Sequence, residues 1–463
     1  MPNSFHLIRW LTDEREKGTI IWLFNIGAEK FWNPVQAGIV DVNEDRIVSR
    51  MEEMNLLLCR EQDVIILRER PDDAFLEQLR AWGFSIPRIW TPAPGEERAS
   101  ISELVLRDPE LLGRLTQLGV EEPDAVLVPY AVTRLEEAIA KRCELRLVAA
   151  PSEVNASVND KIGNREIAEA LELPVCRGRI CDSIDAIREA YEELTTGEGA
   201  FERVIIKEPY GASGKGLYIV DAPDKLNTLL LRLGRYAKQH PDARWLVEGW
   251  YHKIGDVNYQ LYVSPEGEAE VFSIKEQMLR DTVYIGSRFP VKWANGEDEA
   301  YHSFGEKIGK HLHAIGYTGV AGIDSIIAEG GEIIPVIEIN GRFTLSTYLS
   351  FVSRVIGSPL TYLSRYFKLT TDYPLPYAEV NELLQREGLL YREDTGEGVL
   401  VYTSGTLPVR MDESTGKFNG RLFALIAAAS ETRADELSSR LEAFIEAVQR
   451  ERRGDEVGSH PGR

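Results

Sequence analysis

From Gly18 to about Ala150, short β-branched runs alternate with amphipathic stretches. "TIIWLFN", "DVIILR", "DAVLVP" and "LRLVAA" read as buried strands, and "PDDAFLEQLRAWGF" and "VTRLEEAIAKR" as helices. In the first of these helices Phe75, Leu79 and Trp82 recur at i, i+4, i+7 and share one face. Asp72 and Asp73 stand where a cap and a first-turn acid belong. Strands alternating with helices predict a doubly wound parallel sheet, so residues 1–150 are expected to form a Rossmann-like N-terminal domain. Its first strand runs into "NIGAEKF", which lacks the G-x-G-x-x-G spacing, and no dinucleotide site is expected there.

A second unit is expected over residues 151–371. Asn159 or Asp160 caps a helix, and a strand follows Pro174. "RVIIKEPYGASGKGLYIV" reads as a hairpin with a glycine-rich tip, followed by the helical "DKLNTLLLRLGRYAKQ" and the strand "RWLVEGWY". "VNYQLYVSPEGEAEVFSIKEQ" is a strand meander turning at Pro265 to Gly267. The helical "FGEKIGKHLHAIG" precedes the strands "VAGIDSIIAE" and "EIIPVIEIN", joined through Gly330 and Gly331. "TDYPLPY" then reads as a linker into a small C-terminal α/β subdomain, residues 372–463, whose tail beyond about 453 is polar, glycine-rich and expected to fray. The fold class is α/β and α+β.

Composition narrows the function. A chain of 463 residues exceeds one ordinary core and implies two or three units. Fifty-three basic against 74 acidic residues, a formal charge of −21, are a poor match to nucleic acid or to an anionic membrane. Neither is an expected partner, and an anionic ligand must be held by locally placed cations. The four cysteines, Cys59, Cys143, Cys176 and Cys181, lack C-x-x-C spacing and are expected to be buried thiols. The N-terminus has no apolar h-region and no run approaches the roughly 18 apolar residues of a spanning helix, so a cytoplasmic location is expected. No residue pattern selects an oligomeric state; a homodimer is the assembly kept in view.

The glycine-rich "KEPYGASGKG" fails the P-loop template twice, with Pro209 in place of its first glycine and Gly216 in place of its metal-binding hydroxyl. Taken alone it is a flexible hairpin. Lys207 ends an apolar strand, where a lysine is costly unless it meets an anion. Lys161, in "NDKIGN", is by itself an ordinary surface lysine. The strongest signal is "PVIEINGR". Glu338 and Asn340 are two apart in a strand and point to one face, and Asp324 interrupts the apolar strand before it. Oxygen donors on neighbouring strands suit a hard cation such as Mg2+. Arg342 shares that face and is placed to reach a phosphoryl oxygen.

In order and spacing these pieces resemble the ATP-grasp superfamily over roughly residues 155–350, with a pre-ATP-grasp domain in front, and most of all its peptide-ligase-like members. The resemblance implies that Lys161 and Lys207 bracket the nucleotide phosphates and that "GASGKG", with Gly211, Ser213, Gly214, Lys215 and Gly216, closes over them. "WLVEGWYHKIGD" matches the hinge that receives adenine and ribose, through Glu248 and Asp256. Asp324, Glu338 and Asn340 match the Mg2+ ligands, with Mn2+ as a substitute ion, and Arg342 matches an arginine of several branches. Where some branches place an arginine two residues before the first metal carboxylate, this chain has Gly322. Between hinge and metal strands Lys275, Arg280 and Arg288 are candidate anchors for an acid substrate, with Lys275 favoured by its apolar neighbours Phe272 and Ile274. His311 and His313 have the wrong spacing for two ligands on one helical face.

The implied activity is ATP- and Mg2+-dependent joining of a small-molecule acid to an amine through an acyl phosphate, on amino acids or small peptides. A phosphotransferase would use the same nucleotide residues, and a non-catalytic ATP-binding module would lack turnover.

Overall fold

In the computed structural model, residues 7–12, 17–32, 42–96, 98–210, 216–280, 283–293, 296–357 and 360–450 are described. The expected parallel sheet is formed by β1 (Ile20–Leu23), β2 (Val64–Ile66), β3 (Arg88–Trp90), β4 (Val126–Pro129) and β5 (Arg146–Leu147) in the order β3-β2-β1-β4-β5. β1, β2 and β4 are buried on both faces, which is why they read as continuous apolar runs without alternation. Asp72 caps the Asp73–Ala81 helix by accepting from the Ala74 N–H, and Phe75, Leu79 and Trp82 are buried on its inner face.

A small lobe follows. β6 (Gly178–Cys181), β7 (Val204–Lys207), β8 (Leu217–Val220) and β9 (Trp245–Gly249) form a four-stranded sheet in the order β6-β9-β7-β8. The helices Ile184–Thr195 and Pro223–Gln239 cover it, and their apolar faces complete a core of its own around Ile187, Leu230, Trp245 and Val247.

The body is one antiparallel sheet. It contains β10 (Lys253–Val263), β11 (Ala269–Arg280), β12 (Val283–Phe289), β13 (Gly319–Ala328), β14 (Ile333–Asn340), β15 (Thr361–Thr371), β16 (Gly398–Val401), β17 (Met411–Asp412) and β18 (Lys417–Ala428). The order is β14-β13-β10-β11-β12-β15-β18-β16, with β17 beside β18. Alternation along β10 sends Val257, Tyr259 and Leu261 toward the core under the Glu297–Ala314 helix, while Asn258 and Gln260 take the opposite face. His313 on that helix makes a hydrogen-bonding contact from Nε2 to the carbonyl of Pro265, so it serves the β10–β11 turn.

The C-terminal strands extend this sheet, with β15 and β18 paired from Thr361↔Ala428 to Thr371↔Phe418. The stretch expected to be a linker is packed: Leu375 and Tyr377 are buried, and Leu375 donates its N–H to the Pro408 carbonyl. Tyr377 meets Phe75 edge-on at 5.0 Å, and the core between them continues through Leu79, Trp82, Leu400 and Leu425. Polar groups reinforce the junction. The buried Glu53 carboxylate accepts from the Ser404 N–H and hydroxyl and from the Gly405 N–H, while Arg50 lies 3.1 Å from it. The tail beyond residue 450 lies outside the described residues. All four cysteines are buried and free, and no helix among the described residues is long and apolar enough to cross a membrane.

Candidate functional site

The site lies where β13 and β14 face the start of the Lys161–Ala170 helix. Asp160 caps that helix, accepting from the N–H groups of Ile162 and Gly163. The next residue, Lys161, is therefore fixed at the first turn, and the expectation of an ordinary surface lysine is wrong. It is buried, and its Nζ lies 2.8 Å from Glu338 Oε1. Its backbone N–H is bound by the Pro209 carbonyl, which ties the helix start to the base of the glycine-rich hairpin.

Asp324 and Glu338 are register partners across β13 and β14, as are Gly322 and Asn340. Asn340 Nδ2 lies 3.3 Å from Asp324 Oδ2. Burial pushes the Asp324 carboxyl up to about 6, and the neighbouring charge of Glu338 adds to that. Two carboxylates and an amide oxygen on adjacent strands form a hard-oxygen donor set, and a divalent cation would supply the charge that two facing carboxylates lack. The residues therefore fit Mg2+.

The second cation, Lys207, ends β7 fully inside the protein. Its Nζ is 2.6 Å from Glu248 Oε2, and Arg165 Nη1 is 2.8 Å from Glu248 Oε1. Burial works to lower the Lys207 pKa, but Glu248, through its charge and its hydrogen bond, together with Cys176 and Glu338 outweighs it, so Lys207 is held above its ordinary value. Glu248 thus sits between two cations, a partnership that sequence reading missed in Arg165. Asp256, half-buried on β10, pairs with Lys253 at 2.5 Å. Gly216 adopts φ +74, which favours glycine, and its carbonyl accepts from the Glu208 N–H. Gly211, Ser213, Gly214 and Lys215 lie outside the described residues.

Arg342 reaches the parallel domain. Its Nη1 donates to the Tyr130 hydroxyl at 2.9 Å, and the guanidinium carbon lies 5.3 Å from the centre of the Tyr130 ring. Tyr130 directly follows β4, and β4 ends at the carboxyl edge of the parallel sheet, where open α/β folds place their ligands.

Lys275 is the most unusual of the predicted residues. It is 1% exposed on β11, and no acid pairs with it among the described residues. Its Nζ donates to Ser273 Oγ at 2.5 Å and Ser350 Oγ at 2.7 Å and lies 5.3 Å from the centre of the Phe289 ring. Burial alone lowers its pKa to about 7. Arg280 and Arg288 are drawn elsewhere, to Glu442 and Asp435 of the Glu431–Arg450 helix. Sequence reading also missed Asn258, Gln260 and Gln277, although the alternation of Asn258 and Gln260 with apolar neighbours in "VNYQLY" placed both on one face.

Comparison with known proteins agrees with this architecture. Family models match as the pre ATP-grasp domain over residues 51–145, the ATP-grasp domain over 165–346 and the PGM1 C-terminal domain over 379–441. Among curated relatives, a [butirosin acyl-carrier protein]–L-glutamate ligase of Niallia circulans is 29% identical over 340 residues, 71% of this chain and 73% of the relative. An L-propargylglycine–L-glutamate ligase of Streptantibioticus cattleyicolor is 25% identical over 352 residues, 69% of this chain and 72% of the relative. Among solved structures, the biotin carboxylase domain of a Hydrogenobacter thermophilus 2-oxoglutarate carboxylase has TM-score 0.53 at 15% identity, covering 86% of this chain and 87% of its own. Staphylococcus aureus N5-carboxyaminoimidazole synthetase has TM-score 0.53 at 11% identity, covering 93% and 98%. These two likenesses speak to the fold. The matches thus give the chain a pre ATP-grasp domain over residues 51–145 and an ATP-grasp domain over residues 165–346, and both of these curated relatives are ligases.

Proposed function

We propose that the protein joins L-glutamate to a second small-molecule substrate, an amino acid or small peptide, by an ATP- and Mg2+-dependent amide-forming reaction. The observation that carries the reaction is the convergence of Asp324, Glu338 and Asn340 with Lys161 on two register-paired strands. Glutamate is supported by the two curated relatives, both of which are L-glutamate ligases.

In this reading Lys161 and Lys207 bind ATP phosphates, Glu248 and Asp256 serve the nucleoside end, and the three oxygen donors hold the metal. The ion, when bound, neutralises phosphate charge during transfer. The acid's carboxylate oxygen attacks the γ-phosphorus, ADP leaves, and an acyl phosphate forms. The amine then attacks the acyl carbon, phosphate leaves, and the nitrogen gives up a proton, so carboxylate, amine and ATP become amide, ADP and phosphate. Arg342 stabilises charge on the acyl-phosphate oxygens. Lys275 anchors the substrate's carboxylate: a buried cation without a counter-charge gains most from an arriving anion. Residues 1–150, 151–371 and 372–463 are taken as pre-ATP-grasp, ATP-grasp and C-terminal units. A cytoplasmic location belongs to the same proposal.

Incubation with ATP, Mg2+, hydroxylamine and a carboxylate panel tests it. L-glutamate is expected to give a hydroxamate and ADP, and Glu338→Gln to abolish both. Silence across the panel sinks the ligase reading, and a stable phosphorylated product without amide formation would identify a phosphotransferase instead.

A further inference from the structure

The Asp324 carboxylate is gripped more tightly at one oxygen than at the other. Asn258 Nδ2, from the register partner on β10, donates to Oδ1 at 2.8 Å, and Gln277 Nε2, from β11, donates to the same oxygen at 2.7 Å. Two N–H donors occupy the lone pairs of one carboxylate oxygen. Oδ2 accepts one longer bond, from Asn340 Nδ2 at 3.3 Å, and keeps a lone pair free of these donors.

The grip is itself held. The Asn258 side-chain oxygen accepts from Gln260 Nε2 and, at 2.9 Å, from Ser346 Oγ, so its amide nitrogen must face Asp324. Gln260 is fixed in turn: the second N–H of its Nε2 is shared between Thr344 Oγ1 at 2.9 Å and Ser346 Oγ at 3.0 Å, and its Oε1 accepts from Thr347 Oγ1 at 2.6 Å. Gly322 makes room for this network. A Cβ there would stand 2.6 Å from Thr344 Cγ2 and 2.9 Å from Gln260 Nε2, so any side chain at this place would have to displace the network.

We propose that Asn258 and Gln277 are positioning residues that present Asp324 to the metal through Oδ2 alone, and that this one-oxygen presentation sets the site's preference for a small ion over a large one. The proposal rests on the reading of Asp324, Glu338 and Asn340 as metal ligands. Mg2+, for which Mn2+ stands in as the smaller, octahedral ion, takes single oxygens in a tight octahedron at roughly 2.0–2.1 Å, whereas Ca2+ takes six to eight, with carboxylates mono- or bidentate at about 2.3–2.6 Å. Releasing Oδ1 makes Asp324 a two-oxygen ligand and favours Ca2+.

The test measures Mn2+ binding to the full chain by electron paramagnetic resonance, with a non-hydrolysable ATP analogue present, and Ca2+ by competition. Gln277→Met removes one donor, keeps side-chain length and leaves the buried Asn258–Gln260 network intact, so it is expected to fold. Asn258→Leu is the stronger but riskier variant. Gln277→Met is expected to weaken Mn2+ about tenfold and to lower the Mn2+-to-Ca2+ affinity ratio, while metal-free binding of the analogue stays unchanged. An unaltered ratio in Gln277→Met, alongside loss of Mn2+ in Glu338→Gln, overturns the positioning role alone. Retained Mn2+ binding in Glu338→Gln overturns the metal assignment beneath it.

Discussion

Lys275, proposed above as the anchor of the acid substrate, also weighs on stability. In the unfolded chain it titrates near its ordinary 10.5, and in the fold near 7. Below about pH 7 it is charged in both states and the full desolvation cost bears on the fold. Between 7 and 10.5 the folded form releases its proton first, so this cost fades as pH rises. Lys275→Met is therefore expected to raise the thermal midpoint by several degrees at pH 6, with the gain shrinking toward pH 10, and to raise the KM for the acid substrate. A gain that does not shrink with pH would deny the buried charge. Sequence legibility at this scale followed chemistry: Glu338, Asn340 and Asp324 stood out because carboxylates and amides broke apolar strands. Lys161 became legible only through resemblance, since its burial depends on Glu338, 177 residues away. Asn258 and Gln277 were passed over because their tie to Asp324 shows only once β10, β11 and β13 are side by side.

At the scale of elements, the strands were legible because side-chain alternation has period two, and the helices because apolar residues recur over three and four positions. Their partnerships were not. β12 pairs with β15, joining the sheet's first five strands to the C-terminal ones, and no local pattern in either strand names the other. That seam depends on close backbone approach: a Cβ on Gly286 would lie 1.9 Å from the Ser364 carbonyl oxygen. Gly286→Ala is expected to cost about 1–3 kcal/mol by forcing the strands apart, read as a lower urea midpoint; an unchanged midpoint would mean that the seam has slack. On the same side of the sheet, Glu431, Asp435, Ser438 and Glu442 line one stripe of the last helix and meet Lys292, Arg288 and Arg365. Such mostly exposed pairs orient the helix more than they stabilise it, and Arg365, which is buried, is the exception.

For the whole molecule, the division into units follows cores rather than sequence segments. The lobe from β6 to β9 closes a core within itself, whereas one face of the N-terminal parallel sheet shares its core with strands more than 300 residues later. The sequence announced both regions as α/β units but carried no sign that the apparent linker into the C-terminal unit would bury Leu375 and Tyr377. A chain ending at Thr371 would leave Phe75, Leu79 and Trp82 without Tyr377, Leu400 and Leu425 to cover them, and is expected to aggregate on expression. If that shortened chain is soluble and melts cooperatively, the C-terminal unit is separable after all. The Glu53 carboxylate gives the same geometry a meaning in time. During synthesis its backbone donors at Ser404 and Gly405 emerge some 350 residues after it does, so the parallel-sheet domain cannot be completed until the C-terminal unit has been made. Until then one apolar face of the sheet has no cover, an exposure that the completed fold conceals.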